Sequence, residues 1–259
     1  MMKLIGMFDS PFVRPVAVSA RLLGIPFEHV NWSVGKDFER IRQYSPLGRV
    51  PTLVLEDGEV LVECAAMLDY LDDRVGPERA LLPPTGAERR TALRLMSFAY
   101  GAAEKAREEI VDRVFRPAEK RHAPWIERCR AQLRGALAEL ERHAAQKRDA
   151  QWLVGGRLTQ ADVYVSCIFT FLTEAVPDAF RPEDYPMLRA HVARVEAMPE
   201  FRLTRATWSA PTTQTSAAAA GGTRTRIPAS RARRKDKRRA RVKKSGGASR
   251  RAGRTSRKR

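Results

Sequence analysis

Residues 52–63 read TLVLEDGEVLVE, two short apolar runs on either side of Asp57-Gly58. No other stretch limits the fold as much, because Asp-Gly between apolar runs is the strongest short signal for an antiparallel hairpin. What precedes it cannot pair in the same way. KLIGMF (3–8) and PFEHVNW (26–32) each read as a strand, but a helix from Pro11 to about Leu23, stopped by Gly24, lies between them. Strands separated by a helix pair in parallel through a right-handed crossover. DFERIRQY (37–44) adds a short helix. CAAMLDYLDDRV (64–75) follows the hairpin as an amphipathic helix, with Ala65, Leu68 and Leu71 at helical spacing and Gly76 at its end. The order βαβαββα over residues 3–76 predicts a mixed sheet.

A linker rich in Pro and Gly spans 77–87, and the apolar period is then helical to about Arg205. RRTALRLMSFAYGAAEKAREEIVDRVF and PWIERCRAQLRGALAELERHAAQ read as two long helices, TQADVYVSCIFTFLTEAV as a nearly apolar third, and YPMLRAHVARVEAMPEF as the last. The division is therefore an α+β domain at 1–76, an all-helical domain at 88–208 and a tail at 209–259. The tail holds 18 of the 48 Lys and Arg but one of the 30 acids, Asp236, and almost no large apolar residue. Such a segment cannot offset its ordering entropy by burial, so disorder is expected. The net charge of +18 thus belongs to the tail, since residues 1–208 carry 30 cations against 29 acids. No run is apolar for long enough to span a bilayer, and the start lacks a signal-peptide pattern, so a cytoplasmic setting is expected. Cys64, Cys129 and Cys167 and four scattered histidines offer neither a disulfide framework nor metal-ligand spacing.

Three local patterns carry chemistry. Ser10-Pro11 opens the first helix, with Ser10 at the N-cap and Pro11 at N1. Ser10 is either a cap and nothing more, or a hydroxyl donor to an anion at a helix N-terminus. Val50-Pro51 stands at the mouth of the third strand, where proline is either a start signal or a backbone device. Thr159-Gln160-Ala161-Asp162 is a capping box with Asp at N3, which gives Thr159 and Asp162 a folding role rather than a catalytic one.

SPFVRPVAV after the first strand, SPLGRVPTL before the hairpin, VECAAMLDYL after it and LTQADVYV in the helical domain occur in this order. Over about residues 3–205 the chain resembles the cytosolic glutathione transferases of the bacterial serine type. The resemblance implies a thioredoxin-like first domain and an all-helical second one, but no cysteine stands at Ser10 or Val13 for dithiol chemistry. It implies that Ser10 stabilises the glutathione thiolate, and that a cis Val50-Pro51 peptide presents the Val50 backbone to the cysteinyl part of glutathione. Glu63 and Cys64 are implied to hold the γ-glutamyl end, Cys64 departing from the usual serine, and Lys36 and Arg49 are candidates for the glycine carboxylate. Arg14 is a candidate for electrostatic support of the thiolate, the alternative being an ordinary ion pair. Phe8, Phe12, Met96, Tyr100 and Arg107 are candidates for a second-substrate pocket between the domains. Glutathione enters as a cosubstrate, with no metal or organic cofactor, a small apolar electrophile as its partner, and a homodimer as the expected assembly. Isomerase, peroxidase and dehalogenase activities also occur in the family. The alternative is a non-catalytic binding protein of this fold whose basic tail contacts nucleic acid through phosphates.

Overall fold

Strands β1 (Met2–Ile5) and β2 (Phe27–Val30) pair in parallel, joined by helix α1 (Val13–Leu22). Strand β3 (Thr52–Val54) runs antiparallel to β1, with Leu4 opposite Leu53, and β4 (Val60–Val62) runs antiparallel to β3. The sheet order β2-β1-β3-β4, with α2 (Phe38–Arg42) before β3 and α3 (Cys64–Val75) after β4, is the thioredoxin-like arrangement. Met2, Leu4, Ile5 and Leu53 are buried between the sheet and its helices. The hairpin differs in one detail from a two-residue Asp-Gly turn. Gly58 N–H donates to Leu55 O, Leu55 N–H donates to Glu59 O, and Gly58 has φ +92°. That is a three-residue loop, Glu56-Asp57-Gly58, with glycine supplying the left-handed position. Asp57 Oδ1 accepts Glu59 N–H and fixes it.

The structure, a computed structural model, describes residues 1–211, which pack as one unit. The helical half contains α4 (Gly86–Phe115), α5 (Ala123–Gln146), α6 (Gln160–Ala175), α7 (Pro186–Glu196) and α8 (Pro199–Arg202). Helix α6 is buried almost all round, and α4 approaches it and α5 through Ala92, Ala99, Ala103 and Ala106. The last predicted helix is split. Met198 precedes a proline and takes an extended ψ of 145°, which ends α7 and lets Pro199 open α8. Among the described residues no helix is long and apolar enough to cross a membrane.

The stretch between the halves is pinned. Asp72 accepts Leu81 N–H at 2.7 Å and Leu82 N–H at 3.0 Å, Arg157 donates to Glu78 O and Ala80 O, and Gln160 N–H donates to Leu81 O. The expectation of a disordered tail from 209 is corrected at its first three residues, because Ser209 is hydrogen-bonded to Asp9 and Ala210 and Pro211 line a cleft. From 212 onward that expectation lies outside the described residues.

Candidate active site

The first turn of α1 opens before its regular helix does. Ser10 O accepts Arg14 N–H at 3.1 Å and Ser10 Oγ accepts Phe12 N–H at 3.3 Å, while Ser10 N–H closes a turn onto Met7 O. The regular helix starts only at Val13, with Phe12 at its N-cap, so Ser10 and Pro11 form a turn before it rather than the N-cap and N1 that the sequence indicated; the bonds of Ser10 to Phe12 and Arg14 N–H tie that turn on in the manner of a cap. Ser10 is half-buried. A hydroxyl has one proton and two acceptor sites, so accepting Phe12 N–H leaves its own proton free to be donated.

Beside it the Val50–Pro51 peptide is cis. The close approach of Gly6 brings the end of β1 against it. Gly6 has φ +135°, and a Cβ there would stand 2.5 Å from Val13 Cγ2 and 2.9 Å from Val50 Cβ, so only glycine fits. Glu63 caps α3 with φ +77°, and its Oε1 accepts Cys64 N–H at 3.1 Å. Among the described residues it is the one non-glycine residue at positive φ, and such backbone costs of order 1–3 kcal/mol and clusters at ligand sites. Cys64 itself is fully buried; burial pushes its thiol well above the ordinary range, against the opposing hydrogen bond from the buried Tyr164 hydroxyl.

Two depressions meet at Val50. The larger, about 420 Å³, is floored by Ser10 and Asp9, bounded by Trp32 and Lys36 from the segment after β2, and walled by Phe171 of α6 and Trp208. The smaller is lined by Arg49, Pro51, Glu63, Phe12 and Ser45. Ser45 Oγ is 1 % exposed and has no partner among the described residues. The wall is tied down: Trp208 N–H donates to Glu174 Oε2 at 2.7 Å, Arg205 pairs with Glu174, and the Arg113 guanidinium lies 5.9 Å from the Trp208 ring centre.

Two family models match this architecture in order, the glutathione S-transferase N-terminal domain over residues 4–79 and the C-terminal domain over 123–194. A glutathione S-transferase of Escherichia coli O157:H7 (GstA) is 30 % identical over 160 residues, covering 61 % of this chain and 73 % of that protein. The chain belongs to the glutathione S-transferase family. Solved transferase structures agree. One from Methylobacterium radiotolerans in complex with glutathione sulfonate is 28 % identical with a TM-score of 0.72, covering 83 % of this chain and 96 % of that one. Another, from Methylobacillus flagellatus with glutathione bound, is 25 % identical at the same TM-score of 0.72, covering 79 % and 98 %.

Within this transferase the residues singled out from the sequence separate into two groups. Ser10, Lys36, Arg49, Val50, Pro51 and Glu63 line the two adjoining depressions. Arg14 does not support a thiolate: its side chain is buried, forms two 2.6 Å bonds to Glu196 and a third to Phe201 O, and its charge is spent joining α1 to the helical half. Cys64 sits just behind the smaller depression, with its thiol in the core rather than in the cleft. Phe8 stacks on His29 at 3.7 Å, itself hydrogen-bonded to Gly6 O. Phe12 and Tyr100 pack together at 5.6 Å, Met96 packs on the core beside them, and Arg107 is held by Glu104 and Glu108. Of that second-substrate set, Phe12 alone lines either of these two depressions, the smaller one. Arg49 lies 3.6 Å from Glu104. Thr159 N–H and Oγ1–H both donate to Asp162 Oδ2 at 2.8 Å, and Leu153 N–H donates to Oδ1.

The larger cleft contains aromatic residues that the sequence did not single out, Trp32, Phe171 and Trp208. Trp208 stands at the edge of the low-complexity tail, and Phe171 is one apolar residue among many in α6, so composition gives neither a distinguishing mark.

Proposed function

We propose that the chain is a glutathione transferase in which Ser10 holds the glutathione sulfur as a thiolate for attack on an apolar electrophile. One observation carries the reading: the Ser10 hydroxyl accepts Phe12 N–H while lining the cleft, which leaves its proton free for a ligand. Free thiols titrate near about 8.5, leaving little thiolate at neutral pH. A donated hydrogen bond and the N-terminal end of α1 both favour the anion. Val50 lines both depressions, which supports an extended tripeptide with its cysteinyl backbone on Val50 and its two ends on opposite sides. Lys36 receives the glycine carboxylate. Glu63 receives the γ-glutamyl ammonium; Arg49, which lines the depression of Glu63 and not that of Lys36, is reassigned from the glycine carboxylate to the γ-glutamyl one, and Ser45 Oγ gains the partner that a buried hydroxyl requires. The electrophile packs against Phe171 and Trp208. The mechanism uses the cosubstrate alone and calls for no cofactor.

Ser10→Ala tests this. Losing one such bond removes about 1.5–3 kcal/mol, so turnover should fall roughly 10- to 100-fold while glutathione affinity changes little. The thiol pKa rises without its donor, so the acidic limb of the pH–rate profile moves to higher pH. Full turnover with an unshifted limb rejects Ser10.

Three wider readings accompany it. The unpaired cysteines Cys64, Cys129 and Cys167 suit a reducing, cytoplasmic setting. Exposed Leu47 and Leu93, on a body of near-zero net charge, support a homodimer; light scattering on residues 1–211 at micromolar concentration should give twice the chain mass. The Lys/Arg-rich segment binds nucleic acid by charge alone, so truncation after Pro211 should abolish DNA retention, itself steeply salt-dependent, and leave conjugation intact.

A further inference from the structure

The cleft that holds Ser10 also holds two carboxylates, and they are in different states of use. Asp37 Oδ2 accepts Ser33 N–H and its Oδ1 pairs with Arg40 at 3.3 Å, so its charge already has a counter-ion. Asp9 forms no ion pair among the described residues; its Oδ2 accepts Ser209 N–H at 3.1 Å and Ser209 Oγ–H at 3.3 Å. Asp9 is half-buried, borders the cleft in the same tight turn as Ser10, and lies under the segment that carries Trp208. A carboxyl group and a hydroxyl on consecutive residues thus border one cleft.

We infer that Asp9 is a general acid for a subset of the electrophiles, those that take up a proton on carbon when the sulfur adds. The inference rests on the transferase reading above. With an α,β-unsaturated carbonyl, the thiolate lone pair forms the C–S bond to the β-carbon and the C=C π pair moves onto the carbonyl as an enolate. The Asp9 carboxyl proton is then delivered to the α-carbon, leaving a carboxylate that water reprotonates; the thiol proton lost on activation balances the sum. With an aryl halide, the C–S bond forms, halide leaves with its electron pair, and no proton is taken up. Asp9 therefore serves the first reaction and not the second. Burial raises its pKa above the ordinary carboxylate value, against the lowering effect of the Ser209 hydrogen bonds, and that is the direction a proton donor requires.

Asp9→Asn separates the two roles, since the amide keeps an oxygen for Ser209 N–H but has no acidic proton. Initial rates are measured with glutathione and either cinnamaldehyde or chlorodinitrobenzene, each corrected for the uncatalysed reaction. General acid catalysis contributes about 100-fold or more, so the cinnamaldehyde rate should fall at least tenfold further than the chlorodinitrobenzene rate, and Asp9→Glu should restore part of the difference. A structural role for the Asp9–Ser209 contact slows both reactions by the same factor; that result, or no loss in either, overturns the Asp9 assignment alone. Wild-type protein inert towards both electrophiles overturns the transferase reading and this assignment with it.

Discussion

Helices α1 and α6 start with the same kind of sequence, a hydroxyl residue followed by apolar periodicity, and they end up opposite in character. At the start of α6 the capping pair is spent within the fold: Asp162 accepts from Leu153 N–H, Thr159 N–H and Thr159 Oγ1–H, is wholly buried, and has His191 Nε2 3.2 Å from Oδ1. At α1 the Ser10 hydroxyl accepts one 3.3 Å bond, is half-buried, and opens onto a cleft of about 420 Å³. A helix start that has satisfied itself holds the fold together, and one left with a proton to donate at a cavity is able to act on something else. What distinguishes them is the inventory of partners, not the motif.

The contrast can be attacked from both sides. Asp162→Ala strands three donors away from water, each worth about 1–3 kcal/mol, so a loss on the order of 4 kcal/mol is expected in urea unfolding. Activity per folded molecule should stay as it was, and a specific loss of turnover would bring Asp162 into the chemistry. Arg14→Ala comes next, at about 3 kcal/mol, because it leaves Glu196 without its buried counter-ion; Glu196 retains the 2.7 Å bond from Thr170, which softens the loss. Ser10→Ala should lower stability by only about 0.5–1 kcal/mol, the low end for an N-cap, so a drop as large as that of Asp162→Ala would make Ser10 a structural residue after all. The smallest effect is expected from Cys64→Ser. Its thiol is turned to Tyr164 in the core, so calorimetry should find glutathione affinity within about twofold of the parent. A clear tightening would mean that a hydroxyl at this position reaches the ligand.

The element order was readable because each element has its own period and its own stop. Gly24 and Gly76 end helices as expected, and α3 begins and ends at the residues that the sequence indicated. The hairpin was legible in kind but not in loop length, since Asp-Gly serves both two- and three-residue turns and only the pairing of Leu55 with Glu59 distinguishes them. In the candidate site, Ser10, Val50, Pro51 and Glu63, which the sequence singles out at element ends, all line the two depressions. For Arg14 the structure shows the ion-pair alternative, which the sequence could not choose because one helical turn from Ser10 says nothing of the partner 182 residues away. Trp208 and Asp9 escaped for the same reason, as neither the bond of Trp208 N–H to Glu174 nor that of Ser209 N–H to Asp9, 200 residues away, has a local signature.

The pinned stretch between the halves sets a rule for exchanging parts of this protein. Asp72 belongs to the first half, Leu81 and Leu82 to the connection, and Arg157 and Gln160 to the second, yet they form one hydrogen-bonded knot. A joint without slack leaves no hinge for the halves to swing on, so heat should melt them together in a single transition. A first half borrowed from a relative would present foreign groups to Arg157 and Gln160 unless the crossover were placed before residue 72. Recombination between such genes, natural or in the laboratory, should then yield folded chimaeras chiefly when residues 72–82 travel with the half whose partners they already fit.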